Sequence, residues 1–391
     1  MIAAIPVAWL QLIHQRVRFA VTLAGIAFVV LLLFMQLGIQ DALFESSIRV
    51  HQSLQGDLFL VSSQYQALTS QQNFPRSRLY QTLASDQVES VKPLYIQFGK
   101  LKNIETGRKY AIFVFGIDPG LPPFRSPEVM QNLDQVKSAN FALFDRDSRS
   151  EFGPISEHVE NGEKIEVEIS RFGEITEAKR FEIRGLFSLG TSFGVDGNII
   201  VNATSFLHTF KDRLAEEINI GLITLKPETN PQQVRASLVA SLPKDVQILS
   251  LADFSKLEKR YWNLRTPIGF IFKIMVVIGL VVGIGVAYQI LYSNVSNHII
   301  EYATLKAIGF KDSYLLNIIF KQALLLSILG YIPGTLAAVG VYAIAENATK
   351  LPVVMTASKG ITVLFLVTLM CSVSGLLAMQ KLRSADPVDV F

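Results

Sequence analysis

The chain has 391 residues, half of them hydrophobic and 18% charged, with a formal net charge of +3 and a mean hydropathy of +0.36. That balance is too apolar for an ordinary water-soluble domain and too polar for a wholly embedded one, so it points to a few membrane spans plus a sizeable exposed part. The small net charge gives no basis for nucleic-acid binding, and the single cysteine, Cys371, excludes an intrachain disulfide.

At the start, "VAWLQLIHQRVR" sets Trp9, Leu12, Ile13 and Arg16 at helical spacing. That spacing suits a helix over 1–18 lying in the membrane interface. Four later segments are long and apolar enough to cross a bilayer, which takes roughly 20 residues: 19–40, 267–292, 323–345 and 360–380. The first sits where a signal peptide would, but its apolar run is too long and no small-x-small site follows Met35, so an uncleaved anchor is expected. Positive charge sets the orientation. Arg16, Arg18, Lys306, Lys311, Lys381 and Arg383 belong to the cytoplasmic side, against Lys350 and Lys359 opposite. Both termini (the last 381–391) are then cytoplasmic, 293–322 is a cytoplasmic loop, 346–359 a short outer loop, and 41–266 a large outside domain.

Within 41–266 strand and helix patterns alternate. "GDLFLVSS", "VESVKPLYIQFGKLKN" and "KYAIFVFGID" read as strands, and "PRSRLYQTLAS" as a helix opened by Pro75. "IGLITLKPE" and "VQILS" are further strands, flanking the helix "NPQQVRASLVASL" with Asn230 as cap and Pro231 at its first position. About 121–217 is a strand-rich insertion carrying "EKIEVEIS", "KRFEIRGLFSL" and "NIIVN", and "LADFSKLEKRYWNL" is a helix running towards the second span. The fold class is therefore an α-helical integral membrane protein with four transmembrane helices and a large α+β domain between the first two.

"GTSFG", 190–194, matches the G-x-S-x-G nucleophile pattern. That elbow needs a helix after the serine, whereas a glycine turn into another strand follows, so a loop is expected and catalysis is not. The scattered histidines (His14, His51, His158, His208, His298) show no metal-binding spacing, and no phosphate-binding P-loop is present. Lys273, in the second span, can snorkel to the headgroups. Gly279, Gly283 and Gly285 give that span a small-residue face suited to close helix packing, within one subunit or between two.

Between the second and third spans lies "NHIIEYATLKAIGFKDS". As a helix it puts Ile300, Ala303 and Ala307 on one face, and Gly309 is placed to end it. Glu301 and Lys306 are about 140° apart, too far for a good intrahelical pair, so each is solvated or reaches an external partner.

"EYATLKAIGFKDS" resembles the E-x-x-x-[LIV]-[KR]-A-[ILM]-G signature in the cytoplasmic loop of FtsX/MacB-type ABC permeases. The ending "RSADPVDVF" is similar to their "DPVEAL" tail, "AWLQLIHQRVRFAVTLAGIAF" is similar to their N-terminal helix and first span, and the order of spans and domain is theirs. "HQRVRFAVTLAGIAFVVLLLFMQLG" and "GLFSLGTSFGVDG" look closest to DevC-type permeases of cyanobacterial exporters. The resemblance implies a coupling helix made of Glu301, Thr304, Leu305, Lys306, Ala307, Ile308 and Gly309 that docks on a separate ABC ATPase subunit. ATP and Mg would bind on that partner, with no cofactor or metal on this chain and no catalytic residues of its own. It further implies a homodimer in the bacterial inner membrane and a periplasmic outside domain touching a membrane-fusion adaptor and, through it, an outer-membrane duct. The cargo would be a lipid or other amphiphile. A mechanotransmitter that regulates a periplasmic enzyme without transport is the alternative; a membrane-anchored sensor with no ATPase is a third.

Overall fold

The computed structural model describes residues 16–70, 72–171, 178–192, 194–349 and 351–383. The interfacial stretch around Trp9, Leu12 and Ile13 and the tail beyond Arg383 lie outside the described residues. The chain forms two compact units, one of long helices and one within 43–266.

The helix α1 (Arg16–Ser47) comes first, then the short α2 (Arg49–Ser53). The second unit follows as β1 (Leu58–Ser62), β2 (Phe74–Pro75), α3 (Arg76–Gln81), β3 (Val88–Lys102), β4 (Lys109–Ile117), α4 (Pro127–Asn132), β5 (Phe141–Asp145) and α5 (Ile155–Glu160). It continues through β6 (Ile165–Arg171), β7 (Ala178–Phe187), β8 (Gly197–Asn202), α6 (Ala203–Thr209), β9 (Glu217–Ile218), β10 (Ile220–Leu225), α7 (Pro231–Ser241), β11 (Val246–Ser250) and α8 (Leu251–Leu264). The chain ends with α9 (Pro267–Asn297), α10 (Ile299–Ala307), α11 (Asp312–Thr349) and α12 (Ala357–Arg383).

Nine strands run in the order β11-β1-β10-β3-β4-β8-β5-β7-β6, and a further β3–β6 pairing closes the last six into a barrel. The pairs β4–β8 and β5–β7 are parallel and the others antiparallel. The long strand β3 serves both parts: its residues 88–94 pair with β10 in the open sheet, and 94–102 pair with β4 in the barrel. At Gly99, where β3 meets both β4 and β6, a Cβ would come within 3.1 Å of Val114 and 3.2 Å of Ile169. Strands β5 to β8, from the stretch read as an insertion, therefore do not form a sheet of their own; they complete a barrel on β3 and β4.

Strands β1, β4, β8 and β10 are covered on both faces and read as near-continuous apolar runs, whereas β6 and β7 alternate buried with exposed or half-buried positions. The period of two survives in where the side chains go. Leu58 and Leu60 of β1 and Ile112 and Val114 of β4 enter one core with Phe181 and Phe206. Their neighbours Phe59, Val61, Phe113 and Phe115 enter another with Phe124 and Phe254. Capping follows the sequence: Asn230 Oδ1 accepts from Gln232 N at 3.0 Å and Ser250 Oγ from Asp253 N at 3.1 Å.

Four helices, α1, α9, α11 and α12, are long and apolar enough to cross a membrane. All four outrun their apolar segments, α1 to Ser47 and α11 from Asp312 by the most, because a helix satisfies its own backbone and need not stop where hydrocarbon ends. Small residues set their packing. A Cβ on Gly330 or Gly334 of α11 would lie 2.5 Å from Ile26 or 2.6 Å from Val30 of α1. Gly283 of α9 is backed by Met370 and Val29, and Gly279 by Gln36, which donates to the Met275 carbonyl at 3.0 Å. Gly285 has open space around it, so the small-residue face of α9 splits, two glycines packing inside the chain and one facing outward. Lys273 is exposed. Lys359 is buried and pairs with Asp41 at 3.1 Å while donating to the Val354 carbonyl at 2.8 Å.

Candidate coupling helix

The segment 298–310 folds as α10 followed by a tight stop. Its inward face is centred on Tyr302, which is fully buried, hydrogen-bonded to Gln322 of α11, and pushed by burial up to about 12. Ile299 and Leu305 join Tyr302 against Val295 of α9, Leu315, Ile318 and Ile319 of α11, and Met379 of α12. The helix is thus seated on three of the long helices by packed side chains.

The outward face is Ile300, Thr304 and Ile308, an i, i+4, i+8 stripe, with Glu301 beside it. Ile300 is 61% and Ile308 71% exposed. Ala303, one turn on from Ile300, is buried: the face that groups these two straddles the edge of the contact, because Tyr302, a larger side chain, sets the buried side. Thr304 Oγ1 donates to the Ile300 carbonyl at 2.7 Å, leaving its methyl outward. Lys306 and Leu305 are half-buried, and Ala307 is the last helical residue.

Glu301 is paired within the segment to His298, at 3.0 Å and i,i+3 spacing. The i,i+3 spacing of His298 and Glu301, unlike that of Glu301 and Lys306, is one at which helical side chains meet, and it is visible in the sequence. Glu301 in the first turn and Lys306 in the last also complement the helix dipole. The stop is a Schellman motif: Phe310 N donates to Leu305 O at 3.1 Å and Gly309 N to Lys306 O at 3.0 Å, with Gly309 at φ +101°. Phe310, also exposed, stacks on Tyr314 at 4.7 Å. The result is a short, capped helix that offers an apolar stripe with a carboxylate at its edge.

The 190–194 motif is a loop between β7 and β8. Gly190 and Gly194 have positive φ, and Ser192 is 4% exposed with no helix after it. Asp145 braces the loop, accepting from Leu189 N, Gly190 N and Asn198 Nδ2 at 3.1, 2.9 and 2.7 Å. Burial pushes the Asp145 carboxyl up to about 6 against these donors. Asp196, the nearest downstream acid, pairs with Arg149 at 3.3 Å. Among the described residues no group of three or more His, Cys, Asp and Glu is arranged to hold a metal ion.

Comparison with known proteins gives two successive matches. The MacB-like periplasmic core domain matches residues 19–241, and the FtsX-like permease C-terminal domain matches 273–387. No curated protein matches. Among solved structures, the periplasmic region of MacB from Actinobacillus actinomycetemcomitans aligns at 12% identity over 53% of this chain and 94% of that one, with a TM-score of 0.35. The extracellular domain of the noncanonic ABC-type transporter YknZ from Gram-positive bacteria aligns at 13% identity over 50% and 99%, with a TM-score of 0.27. With one domain match spanning more than half of its length and the other covering the helical segments that follow, the chain belongs to the MacB/FtsX-like ABC permease family.

Proposed function

We propose that the chain is the permease subunit of an ABC-type tripartite exporter, driven by a separate ATPase that docks on α10. The outward stripe of α10 carries this reading: Ile300, Ile308 and Phe310 expose apolar surface on a helix whose other face is locked to α9, α11 and α12. A mere connector gains nothing from exposed isoleucines, whereas a docking helix gains buried apolar area on association. On this reading α10 and both termini are cytoplasmic, the 43–266 unit is periplasmic, and the chain sits in the bacterial inner membrane. ATP and Mg are held by the partner.

The working unit is a homodimer whose periplasmic units meet a membrane-fusion adaptor and, through it, an outer-membrane duct. The cargo is a lipid or other amphiphile, in keeping with the DevC-like stretches of the first span and the 186–197 region. The test is affinity purification from the native membrane with identification of what accompanies the chain. An ATPase together with an adaptor is the expected result. An ATPase and a periplasmic hydrolase without an adaptor would replace export by mechanotransmission, and the absence of any ATPase would overturn the coupling role of α10.

A further inference from the structure

The 43–266 unit is entered through the end of α1 and left through α8, with two residues between α8 and α9. These two chain segments are tied to each other inside the unit. His51 of α2 is fully buried, with Nε2 3.2 Å from Tyr65 Oη and 3.4 Å from Glu258 Oε2 of α8. Glu258, 1% exposed, also accepts from Tyr65 Oη at 3.1 Å, Leu68 N at 2.9 Å and Trp262 Nε1 at 3.0 Å. Phe254 seals the group, its ring edge-on to His51 at 4.3 Å and to Tyr65 at 5.2 Å. Next to Glu258, Lys259 pairs with Glu45 in the last turn of α1.

The other side of α2 reaches the barrel. The Arg49 guanidinium donates to the Thr191 carbonyl at 3.5 Å and fills the space where a side chain at Gly190 would stand. Gly190 and its loop are in turn held by Asp145 at the end of β5. The 190–194 motif, idle as a nucleophile, is the barrel's seat for α2.

Holding two helices together does not require this chemistry. Apolar residues of the same volume pack as well as a buried ionisable pair or better, and here His51 Nδ1 is buried with no hydrogen-bond partner. What a fixed set of donors around one carboxylate adds is a single permitted orientation. We propose that α2 is the joint through which movement of α1 and α9 enters the periplasmic unit. His51, Glu258 and Arg49 act as positioning residues that make the open sheet and the barrel follow together. The proposal rests on the reading in which a partner ATPase drives this chain.

The test uses the complete chain with its co-purified ATPase in lipid nanodiscs, reading ATP hydrolysis and hydrogen exchange with and without ATP at 49–54, 189–192 and 251–265. In the wild type ATP should change exchange in all three segments. In Glu258→Gln and Arg49→Ala hydrolysis should persist, while the ATP-dependent change at 189–192 falls by roughly tenfold, the scale of a lost coupling. Tyr65→Phe, which removes one hydroxyl and keeps the ring, should give a smaller loss in the same direction and serves if Glu258→Gln does not fold. A purely structural role would raise exchange equally with and without ATP. A full ATP response at 189–192 in the folded variants overturns the joint alone. No ATP response in the wild type overturns the coupling reading and the joint with it.

Discussion

Gly309 shows what one residue does for the candidate site. A Cβ there would touch nothing within 4 Å, yet its φ of +101° is one that side-chain-bearing residues avoid. Gly309→Ala should therefore cost about 1 kcal/mol or more through the backbone and not through a clash. Faster amide exchange at Ile308 and Phe310, with unchanged exchange in α11 and α12, is the expected result. Protection equal to wild type at the helix end would show that the stop does not depend on the glycine.

The buried pair His51 and Glu258 gives a second prediction at this scale. Burial takes His51 from its ordinary 6.5 down to about 3 and pushes Glu258 from 4.5 up to about 7. Between pH 3 and 6.5 the unfolded chain binds a proton on His51 that the folded chain does not, so this group makes stability rise with pH. Between 4.5 and 7 the folded chain keeps a proton on Glu258 that the unfolded chain has released, so that group makes stability fall. The two slopes oppose each other over their shared range. Glu258→Gln removes the falling one, so its melting temperature should climb relative to wild type from pH 4.5 towards 6.5. Parallel pH profiles for the two proteins would mean that Glu258 is not buried as described.

Among the elements, α10 allows the proposed docking to be tested apart from folding. Ile308 is 71% exposed, so Ile308→Asp should change stability by no more than about 0.5 kcal/mol. It should nonetheless abolish co-purification of the ATPase, because a carboxylate would be buried unpaired at the contact. Tyr302→Ala has the opposite profile: it empties the space between α10 and the long helices and should destabilise by about 3–5 kcal/mol. Thermal unfolding in detergent together with a pull-down distinguishes the two. Ile308→Asp that retains the ATPase would move the docking surface elsewhere. The same scale explains α7, where Asn230 caps the helix and Asn230→Ala should lower stability by about 1 kcal/mol.

For the whole molecule the sharpest prediction is topology. Cys371 is 1% exposed and should be silent to a bulky, membrane-impermeant thiol reagent. Glu163→Cys, at a position whose side chain is 57% exposed, should label from outside in cells with a permeabilised outer membrane. Glu301→Cys, also 57% exposed, should label only after the inner membrane is opened. Labelling of both from the same side would contradict the proposed placement of α10 in the cytoplasm and of the 43–266 unit outside.

Much of the chain was legible because local chemistry specifies it. Apolar length marks α1, α9, α11 and α12, β-branched and aromatic runs mark β1, β3 and β4, and Asn230 with Pro231 marks the start of α7. The candidate coupling segment was legible as a helix with a glycine stop, since both signals lie within a few residues. Which face of α10 points outward was not, because that depends on Tyr302 finding Gln322 and the α9, α11 and α12 side chains, all distant in sequence or on other helices. Closure of the barrel was equally hidden: β3 pairs with β6 across a separation that no local pattern encodes. So too was the meeting of His51 with Glu258, and of Arg49 with the 190–194 loop. Local chemistry marks the long helices, the strongest strands and the capped helix starts, because propensity, capping and hydrocarbon length act over a few residues; the short helices such as Pro127–Asn132 and Ala203–Thr209 are too short to show a helical period. Which surfaces face outward and which charges meet follows instead from the burial of side chains far apart in the chain.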